Sequence, residues 1–152
     1  MLALVQRVSH AAVTVEAQGH RAEIGLGLCV LLGVEKGDDE PAADWMARKL
    51  AALRIFPDDH RNMNRSVLDV GGAVLLVSQF TLAGDCSRGN RPSFDGAAEP
   101  DLGRALYERV AGQLREAHGL HVGCGIFGAM MRVELINEGP VTVMVRSVVR
   151  DP

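Results

Sequence analysis

Two short stretches carry the residues with which this chain could do chemistry. Ser78-Gln79-Phe80-Thr81-Leu82 sets two hydroxyls and a carboxamide side by side, and Asn137-Glu138-Gly139-Pro140-Val141-Thr142 holds a Gly-Pro pair between polar residues. Each lies at the edge of an apolar strand-like run, where a rigid scaffold can hold backbone groups at fixed positions in a pocket. Thr81 is the obvious nucleophile, but a threonine hydroxyl needs a base, and Ser78–Leu82 offers no His, Lys, Asp or Glu; nor does the chain contain a G-x-S-x-G elbow. Thr81 and Gln79 therefore read as positioning groups. An X-Pro bond costs only roughly 0.5–1 kcal/mol to be cis, and glycine tolerates dihedrals that strain other residues, so Gly139-Pro140 can aim carbonyls where ordinary backbone cannot. The plain alternative is a turn between strands at Met131–Ile136 and Val141–Val149.

Other reactive residues offer less. Cys29, Cys86 and Cys124 are far apart and form no C-x-x-C pair, which argues for free thiols over a disulfide framework or zinc cluster. Cys29 and Cys124 fall in strand-like runs as core fillers, and Cys86 in a polar loop has no adjacent base. Asp58-Asp59-His60 invites a metal, but three neighbours in an irregular loop rarely converge on one ion. His118 and His121 straddle a helix stop and do not make a helical ligand pair. The expectation is a site with no metal and no cofactor.

The elements that must position these residues can be read from periodicity. Residues 2–8, 12–17 and 20–24 predict strands, the last two joined at Gln18-Gly19; Gly27–Val34 is continuously apolar, as for a strand covered on both faces. Asp39-Glu40-Pro41 opens a helix with Ala42, Trp45, Met46, Leu50 and Leu53 at helical spacing, so Trp45 is expected in the core. Arg54–Phe56 predicts a short strand, and Val67–Val70, Gly71-Gly72 and Ala73–Gln79 a hairpin whose second arm delivers Ser78 to Thr81. Ala83–Glu99, rich in Gly, Asp, Asn, Ser, Arg and Pro, should rim the pocket. Pro100 opens a second helix ending at His118-Gly119, followed by a strand at His121–Cys124, a corner at Gly125–Ala129 and the strands flanking Gly139-Pro140. Two helices among eight or nine strands, without a βαβ rhythm, predict an α+β domain with a largely antiparallel, barrel-like sheet.

Composition bounds the rest. At 152 residues and 47% hydrophobic content the chain suits one domain, residues 1–152. The longest apolar run, Leu26–Val34, is far below the roughly 18 residues of a membrane span, and the first residues lack a signal-peptide pattern, so a cytoplasmic protein without a membrane partner is expected. The formal charge of −3 argues against a binder of long nucleic acid. A protein gripping only terminal nucleotides needs a local basic patch, for which Arg88 and Arg91 in one loop are candidates.

Both opening stretches resemble the signature pair of the D-aminoacyl-tRNA deacylases, and the resemblance runs almost end to end. It includes Ala3-Leu4-Val5-Gln6-Arg7-Val8, Ala12-Val13-Thr14-Val15, Gly33-Val34-Glu35-Lys36, Arg54-Ile55-Phe56, Arg91-Pro92-Ser93-Phe94 and Phe127-Gly128-Ala129. Glu138 stands where the family more often has Asp, and Met130 where a polar residue is usual. The resemblance implies hydrolysis of a D-amino acid ester on the terminal adenosine of tRNA, with glycyl-tRNA also accepted. Thr81 and Gln79 would serve catalysis, with a neighbouring ribose hydroxyl assisting water. Ser78, Phe80, Met131, Gly139 and Pro140 would bind substrate, and Arg7 and Asn137 would support the Gly-Pro motif. It further implies a homodimer whose subunits exchange that motif across the interface. A non-catalytic RNA-binding module would call for stacking aromatics and a basic face, against 4% aromatics and negative charge. A serine or cysteine hydrolase would call for a visible base. The nearer rival is a sibling deacylase with the Gly-Pro bond trans and another chirality preference.

Overall fold

The computed structural model describes residues 1–147. Strand β1 (Leu2–Val15) is the spine of the sheet: its first half pairs with β3 (Gly27–Gly33), its second half with β2 (His20–Ile24), and β6 (Arg132–Arg146) runs antiparallel along its other side. The expected break after Val8 is absent. Ser9 is taken up as an irregularity between the Val8–Asn137 and His10–Ile136 pairs, so the strand continues through its polar residues. The β1–β2 turn holds a short 3-10 helix, Glu16–Gln18, closed by Gly19 in the left-handed region.

The sheet is mixed and not largely antiparallel. β4 (Ala73–Ser78) lies parallel to β3, and β5 (Val122–Cys124) lies parallel to β4. The reason is connectivity: α1 (Glu40–Ala52) lies between β3 and β4, and α2 (Pro100–Glu116) between β4 and β5, so each parallel pair is joined by a crossover that sequence periodicity did not suggest. The predicted 67–79 hairpin is likewise replaced. Residues 67–71 form turns, because both edges of β4 are already taken by β3 and β5. Phe56 makes only an isolated bridge to Arg65. Among the described residues the sheet has six strands, in the order β2-β1-β3-β4-β5 with β6 on β1. It curls until a Cβ on Gly123 of β5 would lie 3.4 Å from Ala22 of β2, a nearly closed barrel.

Two apolar cores follow from the two faces. Val8, Ala11, Val13, Ile24, Cys29, Leu75 and Val77 fill the inside of the curl. On the other face Leu28, Val30, Leu32, Val74 and Leu76 meet Met46 and Leu50 of α1 and Leu106, Val110 and Leu114 of α2. Alternate residues of β3 thus serve opposite cores, as its continuous apolar run requires. Asp39 caps α1 by accepting from Ala42 N at 2.9 Å, and Arg109 of α2 ties the helices together through Asp44 (2.7 and 2.9 Å) and Glu40 (3.0 Å). Trp45 only rests against the core, half-buried. No helix among the described residues is long and apolar enough to cross a membrane. Of the predicted last strand, Val148 and Val149 lie outside the described residues.

Candidate active site

At the C-terminal end of β4 the chain passes from Ser78, paired with Leu32 of β3, through Gln79 into a 3-10 helix, Phe80–Ala83. Gln79 N donates to Leu32 O at 2.8 Å, which ties the start of this helix to the sheet. Close approach depends on Gly33: a Cβ there would lie 2.9 Å from Gln79 O and 3.2 Å from Leu82 Cβ. The first N–H groups of such a helix have no intrahelical acceptor, so those of Phe80 and Thr81 are available to a ligand. Gln79 Nε2 donates to Thr81 Oγ1, joining the two candidate side chains. Phe80 packs edge-on against Phe94 at 5.2 Å, anchoring the helix to the loop that follows.

These residues open into a pocket of about 690 Å³. Ser78, Gln79, Phe80 and Thr81 line it together with residues of the 97–103 segment, the 127–133 segment and Tyr107. The lining contains no carboxylate, histidine, lysine or arginine. Its one ionisable group is Tyr107, whose phenol is pushed far above its ordinary range, chiefly by burial, and whose hydroxyl donates to Leu76 O at 2.8 Å. Nothing in the lining can act as a general base near neutrality.

A second cluster forms elsewhere on the same chain. Across the β1–β6 ladder, Gln6 pairs with Thr142 and Val8 with Asn137, so Arg7 alone faces the four residues 138–141, a bulge that exposes 138–140 and buries Val141 in the core. Gly139 sits at φ +134°, where a Cβ would also lie 2.8 Å from Val141 and 3.1 Å from Arg7; the 139–140 bond is cis. Arg7 donates to Glu138 O at 3.0 Å and to Ile55 O at 2.7 Å, and Asn137 accepts from Val141 N at 2.7 Å while donating to Thr142 Oγ1 at 2.8 Å. The turn is exposed and firmly clasped. It does not line the pocket of its own chain.

The structure therefore brings Ser78, Gln79, Phe80, Thr81 and Met131 together, gathers Arg7, Asn137, Gly139 and Pro140 apart from them, and leaves Arg88 and Arg91 exposed in the 84–96 loop, off the pocket wall. Cys86 is exposed in that loop, whereas Cys29 is buried, its thiol pushed up to about 11 by burial. Asp58, one of the suspected metal residues, instead accepts from His60 N at 2.8 Å and Arg61 N at 2.7 Å, ordering its own loop. Among the described residues no group of three or more His, Cys, Asp or Glu could hold a metal ion. Sequence reasoning missed Tyr107 and the spatial role of Gly33. The signal for Tyr107 was its place on the buried stripe of α2 beside Leu106 and Val110.

A nearly closed α+β barrel thus bears an uncharged pocket with hydroxyls, a carboxamide and backbone donors, a site suited to positioning rather than to acid–base chemistry. Comparison with known proteins narrows the reading. The family model described as D-Tyr-tRNA(Tyr) deacylase matches residues 4–146. The D-aminoacyl-tRNA deacylase of Pelobacter propionicus is 56% identical over 93% of this chain and 97% of that protein, and that of Koribacter versatilis 55% identical over 97% of each. Among solved structures, the c-Myc DNA Unwinding Element Binding Protein superposes with a TM-score of 0.88 at 39% identity, covering 97% of this chain and 99% of that one. A probable eukaryotic D-amino acid tRNA deacylase shares the fold at a TM-score of 0.81 and 20% identity, covering 95% and 97%. The chain belongs to the D-Tyr-tRNA(Tyr) deacylase family, hydrolases that remove D-amino acids from tRNA.

Proposed function

We propose that this chain, as one domain, hydrolyses the ester between a D-amino acid and the terminal adenosine of tRNA in the cytoplasm, acting as a homodimer that proofreads chirality in translation. Water attacks the ester carbonyl and the carbonyl electron pair moves to oxygen; the carbonyl then reforms as the ribose–acyl bond breaks, and the water's proton passes to the departing ribose oxygen through the neighbouring ribose hydroxyl. Backbone N–H groups at Phe80 and Thr81 receive the developing oxyanion, and Gln79 holds Thr81 as a positioning group. An uncharged lining supports this route over a threonine nucleophile, which would need a base the pocket does not contain.

The observation that carries the reading is the separation of the two signature stretches. Gly139-Pro140 stands exposed and clasped on β6, away from its own chain's pocket, while β6 also exposes Ile136 and Met144 and, among the described residues, pairs only with β1. A twofold pairing through β6 would cover these apolar side chains and bring each turn to the other subunit's pocket mouth. There, fixed backbone would exclude the side chain of an L-amino acid while admitting a D-amino acid or glycine. Mixing subunits tests it. Gly139→Ala disrupts the turn and Phe80→Pro removes an N–H of the pocket; if turn and pocket come from different subunits, random mixed dimers recover roughly a quarter of wild-type activity. No recovery above either variant alone, with mixed dimers present, would place both parts in one subunit.

A further inference from the structure

The reading above leaves an acidic chain without a surface for the rest of its polyanionic substrate. Arg88 and Arg91 do not supply a built one, since they sit exposed at a loop tip. A different surface does. Trp45, Arg48, Lys49 and Ala52 of α1, with Leu53 and Arg54 after it, line a groove of about 430 Å³ that contains three cationic side chains and no carboxylate. Some arginines elsewhere are spent on local acids: Arg21 on Glu23 and Glu134, Arg132 on Glu16, Arg146 on Glu35. The α1 carboxylates Glu40 and Asp44 are engaged by Arg109 of α2, although Asp44 also feels the charge of Arg48. Among the described residues, Arg48, Lys49 and Arg54 form no ion pair; Arg54 donates to neutral Asn64.

The aromatic component is equally specific. Trp45 is the only tryptophan, half-buried against the core, with Lys49 Nζ 5.2 Å from its ring centroid. A ring already capped by Lys49, beside two further cations, suits a sugar-phosphate strand, where phosphates meet the charges and a ribose packs against the ring edge. Position joins this groove to the site. Arg7 donates both to Ile55 O, the residue after Arg54, and to Glu138 O, the residue before Gly139. Whichever pocket the Gly139-Pro140 turn closes therefore has this groove beside it.

We infer that the Trp45–Arg48–Lys49–Arg54 groove binds the phosphodiester backbone of the tRNA acceptor arm while its aminoacyl end occupies the pocket. The inference rests on the proposed function for its ligand. The test compares wild type with the Arg48→Gln/Lys49→Gln/Arg54→Gln variant on two substrates, D-tyrosyl-tRNA and D-tyrosyl-adenosine, over a range of salt. All three positions are exposed, and circular dichroism checks the fold. Expected is a KM for D-tyrosyl-tRNA raised about tenfold or more, with a log KM against log salt slope reduced by up to about 3, one for each lost contact. Hydrolysis of D-tyrosyl-adenosine and kcat on tRNA stay at wild-type values. Wild-type KM and salt slope in the variant, or their loss in Arg88→Gln/Arg91→Gln instead, would overturn the groove. Separately, binding of uncharged tRNA by filter retention keeps the two readings apart: groove-dependent binding by a wild type that cleaves neither substrate would uphold the groove and sink the deacylase reading.

Discussion

Gly33→Ala tests how the pocket wall is set. The added Cβ would stand 2.9 Å from Gln79 O and 3.2 Å from Leu82 Cβ, whereas ordinary contact begins at 3.4 Å, so the 3-10 helix must retreat by about 0.5 Å. Gly33 has no positive φ, so crowding alone is at issue. The obstructing atom is backbone, which cannot swing aside, and Gln79 is held to Leu32 by its own N–H. Overpacking of this kind costs about 1–3 kcal/mol of stability. Since a misplacement of about 1 Å costs about 10²-fold in rate, half of it should lower kcat on D-tyrosyl-tRNA about tenfold. Gly112→Ala is the matched control: it lies within α2 with nothing within 4 Å of its Cβ position, and should gain about 0.5–1 kcal/mol with unchanged kcat. Steady-state kinetics and thermal melts on both variants decide the matter. A folded Gly33→Ala enzyme with wild-type kcat would refute the claim that the helix positions the chemistry.

Two further outcomes follow from the site and the core. Thr81→Ala should retain measurable deacylation, because no base activates that hydroxyl; a trapped acyl-enzyme on Thr81 in the wild type would restore covalent catalysis. Cys29 gives a pH signature. Its thiol favours the neutral form in the folded state, so stability is intact below the unfolded value near 9 and falls as pH rises towards about 11, by about 1.4 kcal/mol per unit. Cys29→Ala should flatten that portion of a denaturation-against-pH series, and an unaltered slope would show that Cys29 does not titrate as argued.

Much of this was legible before the structure because local rules agreed with the fold. Asp39 and Pro41 announced α1, and the continuous apolar run of β3 announced a strand with two covered faces. Sheet polarity was not legible, because an apolar segment such as Ala73–Ser78 reads the same in parallel and antiparallel pairing; only the placement of α1 and α2 across the sheet decides it. In the site, Ser78 to Thr81 could be found because they adjoin one another in sequence. Tyr107 and Gly33 could not, since each acts through a neighbour distant along the chain, Leu76 in one case and Gln79 in the other. Trp45 was assigned to the core on helical spacing, and spacing does not show that its outer side opens into a basic groove.

The central claim is ester hydrolysis that depends on the hand of the amino acid. Its most direct test is the rate of deacylation of D-tyrosyl-tRNA against L-tyrosyl-tRNA, prepared on the same tRNA and assayed from low to high enzyme concentration. The account predicts rapid release of D-tyrosine with L-tyrosyl-tRNA spared even at the highest concentration, and equal rates for the two would contradict it.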